Sequence, residues 1–160
     1  MRTLISCAVA AAVAAGGCSS KSRDEWPVRH GPGFSVKAPE PASTEEAELG
    51  GVATGTTYVF LDTDELQLVV VAITEPPTPE LIAALHDHAK EQFGGLAVVE
   101  DTPGLLRFAG TAPDTDVKTA VKIRFESDAK HVVEAVAVYR SAVTTAARDA
   151  GVFIDSFAMQ

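Results

Sequence analysis

The sequence predicts an α+β domain, a twisted antiparallel sheet of about six to seven strands packed by a middle helix and a C-terminal helix. Three observations predict it. Between Val117 and Phe125 the odd positions are Val, Thr, Val, Ile and Phe, and Lys118, Ala120, Lys122 and Arg124 alternate with them. A period of two sends the two sets to opposite faces of a pleated strand. A second run rich in β-branched residues, His131 to Tyr139, follows the polar break Ser127-Asp128-Ala129-Lys130, so the two runs read as an antiparallel hairpin. Finally, Leu81, Leu85, Ala89 and Phe93, joined by Ile82, share one helical stripe, and Val143, Ala147, Ala150, Ile154 and Phe157 share another.

The 160 residues fit one domain behind a leader. The organisation expected is a signal peptide over 1–17, a lipid-anchored tether over 18–32 and the α+β domain over 33–160. Met1-Arg2 is a short positive segment, Leu4 to Ala15 is apolar apart from Ser6, and Ala15-Gly16-Gly17-Cys18 follows. Charge, apolar core and small residues at the cut are the plan of a secretory signal. The apolar run is well short of the roughly 20 residues of a spanning helix. Its ending resembles the bacterial lipoprotein signal, in which the cysteine is acylated and becomes the new N-terminus. Ala15 stands where that signal usually has leucine or another aliphatic residue. Cys7 ends a shorter match, Leu4-Ile5-Ser6-Cys7, but has almost no apolar segment before it. An ordinary secreted protein with a leftover cysteine is the alternative. Ser19 after Cys18, by resemblance to lipoprotein sorting in diderm bacteria, favours the outer membrane, with the domain facing the periplasm or the cell surface.

Ser19 to Pro32 is polar and aperiodic, as a tether requires; Trp26 is its one large apolar residue. The domain is then expected to open with a short strand, Gly33 to Ala38, ended by Pro39. Ala42 to Leu49 is acidic, which suits an edge strand. Thr56 to Leu61 reads as a strand, Asp62 to Glu65 as a turn, and Leu66 to Ile73 as a central strand. This G-F-S-V-x-x-P opening, the strands around Thr56-x-Tyr58-x-Phe60 and the ending Phe153-Ile154-Asp155-Ser156-Phe157 resemble the PsbP-like superfamily. That resemblance implies an antiparallel sheet with helices on both faces. It also implies a small secreted or lipid-anchored bacterial protein. The matching positions are structural, so no functional residue carries over.

Thr78 is a helix N-cap with Pro79 at N1, and Gly94-Gly95 ends the helix. Leu96 to Glu100 and Leu105 to Ala109 flank the turn Thr102-Pro103-Gly104 and read as another hairpin. The last helix is expected from about Ser141 to Phe157, with Gly151 marking close packing or a kink. In the central hairpin, a loop centred on Ala129 places Arg124 opposite Glu134 and Phe125 opposite Val133. A two-residue turn would instead set Ile123 against Glu134, and facing opposite charges favour the first.

The formal charge is −9, and without Arg2 the remaining 12 Lys and Arg face 22 Asp and Glu, a net −10. A net acidic domain is a poor ligand for a phosphate backbone, so nucleic acid is not an expected partner. Cys7 and Cys18 are the two cysteines, so the domain has no thiol for a disulfide, a zinc site or a nucleophile. His86-Asp87-His88 has the wrong spacing for chelation on a helix. The two Asp-Thr-Asp tripeptides, 62–64 and 114–116, lack the glycine bend and further oxygens of a calcium loop. No metal and no cofactor is expected, and no nucleotide-binding or hydrolase motif occurs. Lys118, Lys122 and Arg124 form a basic stripe on one strand face, which could meet an anionic partner or simply be solvated. The function expected is a secreted, lipid-anchored, non-enzymatic binding or assembly protein of the bacterial cell envelope, held by its acyl chains and meeting an envelope protein. The alternative is a small-ligand carrier with a pocket between the middle helix and the sheet. Cys18→Ser should abolish acylation and release the protein from membranes, read by metabolic labelling with a fatty-acid analogue; a variant still acylated and membrane-bound would refute the anchor.

Overall fold

The structure is a computed structural model describing residues 26–39 and 43–160. The segment expected as a signal peptide, Cys18 and the part of the expected tether up to Glu25 lie outside the described residues, as do residues 40–42. In chain order the elements are β1 (Val28–Gly31), β2 (Phe34–Lys37), β3 (Ser43–Leu49), β4 (Ala53–Asp62), β5 (Leu66–Ile73) and α1 (Pro79–Gln92). They continue with β6 (Ala97–Thr102), β7 (Leu105–Thr111), β8 (Lys118–Ser127), β9 (Val132–Arg140), α2 (Thr144–Ser156) and β10 (Ala158–Met159). Seven strands form one antiparallel sheet in the order β3-β4-β5-β9-β8-β7-β6, and β1-β2-β10 form a small second sheet.

Two apolar layers cover the main sheet from opposite sides. Leu85 and Ala89 of α1, with its C-cap Phe93, pack with Val69, Val71, Val121, Ile123, Val136 and Val138. Ala146, Ala150, Phe153 and Ile154 of α2 pack with Leu68, Val70, Ala135 and Ala137, and with Phe34 and Val36 of the small sheet. The expected helices on both faces are therefore present. α1 starts as its residues require: Thr78 Oγ1 accepts the Leu81 N–H at 3.1 Å, and Pro79 sits where a missing N–H costs nothing. The acidic edge strand and the central strand also stand where expected, as β3 and β5.

Four expectations are corrected. The fold begins before Gly33, because Val28 to Gly31 pairs with β2 from Val28 opposite Lys37 to Gly31 opposite Phe34. Gly33, at φ +78°, makes the reversal that polar Val-Arg-His-Gly gives no period to announce. Trp26 also packs against the α2-side layer.

The central hairpin takes neither register considered. Phe125 faces Glu134, Arg124 faces Ala135 and Glu126 faces Val133. The loop decides it: Asp128 N–H donates to the His131 carbonyl at 3.0 Å, and Asp128 Oδ1 accepts the N–H groups of Lys130 and His131 at 2.6 and 2.8 Å. Those bonds from Lys130 and His131 hold the Asp128 carboxyl below the usual range. Glu134 and Arg124 consequently lie on opposite faces of the sheet and form no pair.

α2 begins at Thr144, and its buried face is Ala146, Asp149, Ala150, Phe153 and Ile154, while Val143 and Ala147 are only half-buried. The face is rotated because the small sheet also contacts this helix. Phe153 meets Phe60 at 6.0 Å between ring centroids, and Phe157 meets Phe34 at 6.3 Å.

Gly151 is not a close-packing site: a Cβ there would have Lys122 Nζ as its nearest neighbour, at 3.9 Å. Gly151→Ala should therefore raise stability by about 0.5–1 kcal/mol, seen as a higher midpoint in thermal or urea unfolding. A drop would mean that the backbone there needs glycine.

Candidate functional site

Residues at even positions of β8 face α2, and the stripe seen in the sequence divides there. Lys118 is exposed, and buried Ala120 stands between it and Lys122 on the same face. The register of β7 on β8 sets Arg107 opposite Lys122 and Leu105 opposite Arg124. Arg107, Lys122 and Arg124 thus meet in a cleft of about 310 Å³ whose apolar walls are Leu105 and Ile154, with Asp155 at its rim. Lys118 does not reach it. Arg107 was missed in the sequence, where its one signal is a charge next to Phe108; its companionship with Lys122 needed the strand register.

Two of the three cations are tied down. Arg124 pairs with Glu126, donates from Nη1 to the Ile154 carbonyl at 3.1 Å and lies 5.9 Å from the centre of the Phe157 ring. A guanidinium on the last carbonyls of a helix satisfies orphan acceptors and opposes the negative end of its dipole. Glu126 Oε2 in turn accepts the Met159 N–H at 3.3 Å, which ties β10 to the same group. Arg107 Nη1 donates to Glu100 Oε2 at 3.2 Å. Lys122, half-buried, has no ion pair among the described residues, and its ammonium lies beside Gly151 of α2. A second opening of about 540 Å³, lined by Lys37, Arg148, Gly151, Val152 and Ser156, shares Asp155 with the cleft.

The opposite face holds a group whose role the sequence concealed. Glu134 is 6% exposed, between Val71 on β5 and Phe125 on β8. Burial in this apolar row pushes its carboxyl up to about 7. One strand beyond Val71 stands Thr57, also buried, whose Oγ1 has no hydrogen-bond partner among the described residues. The signal available in the sequence was a single charge inside a β-branched run. It could not tell a surface carboxylate from a buried one, because β9 is apolar on both faces.

The histidines of α1 point apart. His86 stacks on Phe125 with ring centroids 4.4 Å apart, and its Nε2 is 3.1 Å from the Pro103 carbonyl. His88 lies beside Gly50 in the β3–β4 turn. Among the described residues no group of three or more His, Cys, Asp or Glu is placed to hold a metal ion. Of the Asp-Thr-Asp tripeptides, Asp62 accepts from Gln67 Nε2 at 2.8 Å across the β4–β5 pair, Thr63 Oγ1 accepts the Leu66 N–H at 3.1 Å in the turn, and Asp114 takes a turn conformation at φ +61°.

No protein-family model matches this chain, and no curated protein does. A solved structure does match. It is the crystal structure of LpqN, described as involved in cell envelope biogenesis of Mycobacterium tuberculosis. The chain shares 16% identity with it over 81% of its own length and 86% of that chain, at a TM-score of 0.40. The likeness to the PsbP-like superfamily thus stays a resemblance.

Glu134 makes stability depend on pH with a definite sign. Its folded value, about 7, lies above the ordinary 4.5, so its contribution is fully present below pH 4.5 and is lost as pH rises through about 7. Glu134→Gln should match the parent at pH 4 and be the more stable protein at pH 8, by on the order of 2–3 kcal/mol. Urea unfolding of both proteins across that range is the check. A constant difference between them would show that Glu134 does not titrate in the window.

Proposed function

We propose that this is a lipid-anchored, non-enzymatic binding or assembly protein of the bacterial cell envelope, and that it recruits a partner protein along β6. The address rests on the leader that ends at Cys18. The binding mode rests on one observation, the inequality of the two sheet edges. β3 is guarded by Glu45, Glu46 and Glu48. β6, the other edge, exposes Val98 at 52% and Val99 at 58%, beside an irregularity between Val98 and Glu100. Open backbone groups next to exposed valines suit an added strand, in which main-chain hydrogen bonds supply affinity and side chains supply choice. The cleft suits recognition of an anion, with Arg107 and Arg124 oriented by Glu100 and Glu126.

The carrier reading has narrower support. Thr57 Oγ1 has no partner among the described residues, and Glu134 is buried two strands away in the same row, beyond Val71, so a polar ligand spanning that row could satisfy both. The two openings described above, however, flank α2 and not α1.

A photo-crosslinking residue at Val99 of the full-length protein, in its native envelope, should give one discrete protein adduct. The same probe at Glu46 should give none. Equal adducts from both sites, or none from Val99, would overturn β6 as the docking edge.

A further inference from the structure

The flank of α2 gathers cations in a protein that is acidic as a whole. Lys37, Lys122 and Arg148 have no ion pair among the described residues, and all three line or border the two openings there. Asp155 stands between these openings and belongs to both. The cleft itself combines a half-buried ammonium, two guanidinium groups held in place by Glu100 and Glu126, and the aliphatic walls Leu105 and Ile154. A ligand that satisfies all of these carries anionic oxygens for Lys122 and its neighbours, an ammonium for Asp155, and methylene groups between them.

The entry of the chain bears on where such a ligand would come from. Val28 lies opposite Lys37, so the described fold begins on this same flank. Ten residue steps separate Cys18 from Val28, and an extended chain of that length reaches at most about 35 Å. A protein anchored through Cys18 therefore has its α2 flank within reach of lipid headgroups. We propose that the cleft between α2 and β7–β8 binds a phosphate–ammonium headgroup: phosphate at Lys122 with Arg107, ammonium at Asp155, and the linking carbons on Leu105 and Ile154. Arg124, fixed by Glu126 and the Ile154 carbonyl, is a positioning residue that shapes the wall. The membrane source of the headgroup rests on the anchored reading above; the chemistry of the cleft does not.

The test uses unacylated protein from Ser19 to Gln160, which keeps both sheets and both apolar layers. Phosphoethanolamine, inorganic phosphate and ethanolamine are titrated separately and followed by amide NMR. Vesicles of phosphatidylglycerol, with and without phosphatidylethanolamine, are compared by flotation. Phosphoethanolamine should bind saturably and shift the amides of Lys122 and Ile154. Lys122→Ala should weaken it about tenfold or more with the other amides unmoved. Asp155→Asn should weaken phosphoethanolamine but not inorganic phosphate, and vesicles containing phosphatidylethanolamine should bind better than those without it. No saturable shift in the cleft, or unchanged affinity in Lys122→Ala, overturns the site. An Asp155→Asn variant that binds phosphoethanolamine as tightly as the parent overturns the ammonium position and with it the headgroup assignment. Binding of the soluble compound without any vesicle preference overturns the membrane source. Loss of Cys18 acylation in cells would refute the anchor while leaving these results on unacylated protein intact, so the two failures are distinguishable.

Discussion

Burial of β9 on both faces is the constraint from which the rest of the fold follows. Every residue from Val132 to Tyr139 is buried. A strand in that position needs neighbours on both sides and a cover above and below, because its side chains alternate between two apolar layers. β5 and β8 supply the neighbours, α1 covers one face, and α2 with the small sheet covers the other. The cost of this arrangement appears at Glu134. Any residue of β9 must enter one of the layers, so its carboxyl is placed among apolar side chains and its ionisation is held back.

The covers are unequal in extent, and that inequality makes the cleft. α2 lies over the strands near the sheet centre and does not extend over the whole of β7 and β6. Residues of β7 and β8 that face its margin therefore sit between burial and water. Lysine and arginine suit such positions, since their stems cover apolar surface while their heads stay hydrated. Arg124 goes further and fastens the margin through Ile154, Phe157 and Glu126. The same group that limits the helix also forms a wall of the cleft.

How much of this was legible in the sequence depended on what each signal measures. Periodicity located the hairpins, the acidic edge and both helices, because burial on one face leaves an alternating record at β8 and a stripe at α1. It failed for β1, whose four residues alternate only between exposed and half-buried. It also failed for the register of β8 on β9. With both faces of β9 apolar, a slip of one residue changes no hydrophobic match, and the hydrogen bonds of Asp128 decide instead. For the candidate site, Lys122 and Arg124 were visible as a stripe. Arg107 and Asp155 were not, since they reach the cleft from a separate strand and from α2. Lys118 was included because alternation assigns a face but says nothing of where a covering helix ends.

The ends of the fold meet in the small sheet. β1 and β10 flank β2, and the Gln160 N–H donates to the Gly33 carbonyl at 3.1 Å. Tension arriving through the amino-terminal segment would first load Trp26 on the α2-side layer and the bond from the Ala38 N–H to the Pro27 carbonyl, and then peel β1 from β2 pair by pair, from Val28 toward the Gly33 turn. Ladders loaded in this zipper fashion yield gently. The seven-stranded sheet joins that path only after the hairpin has parted, so the first hairpin works as a mechanical fuse between a pull on the amino-terminal side and the body of the protein.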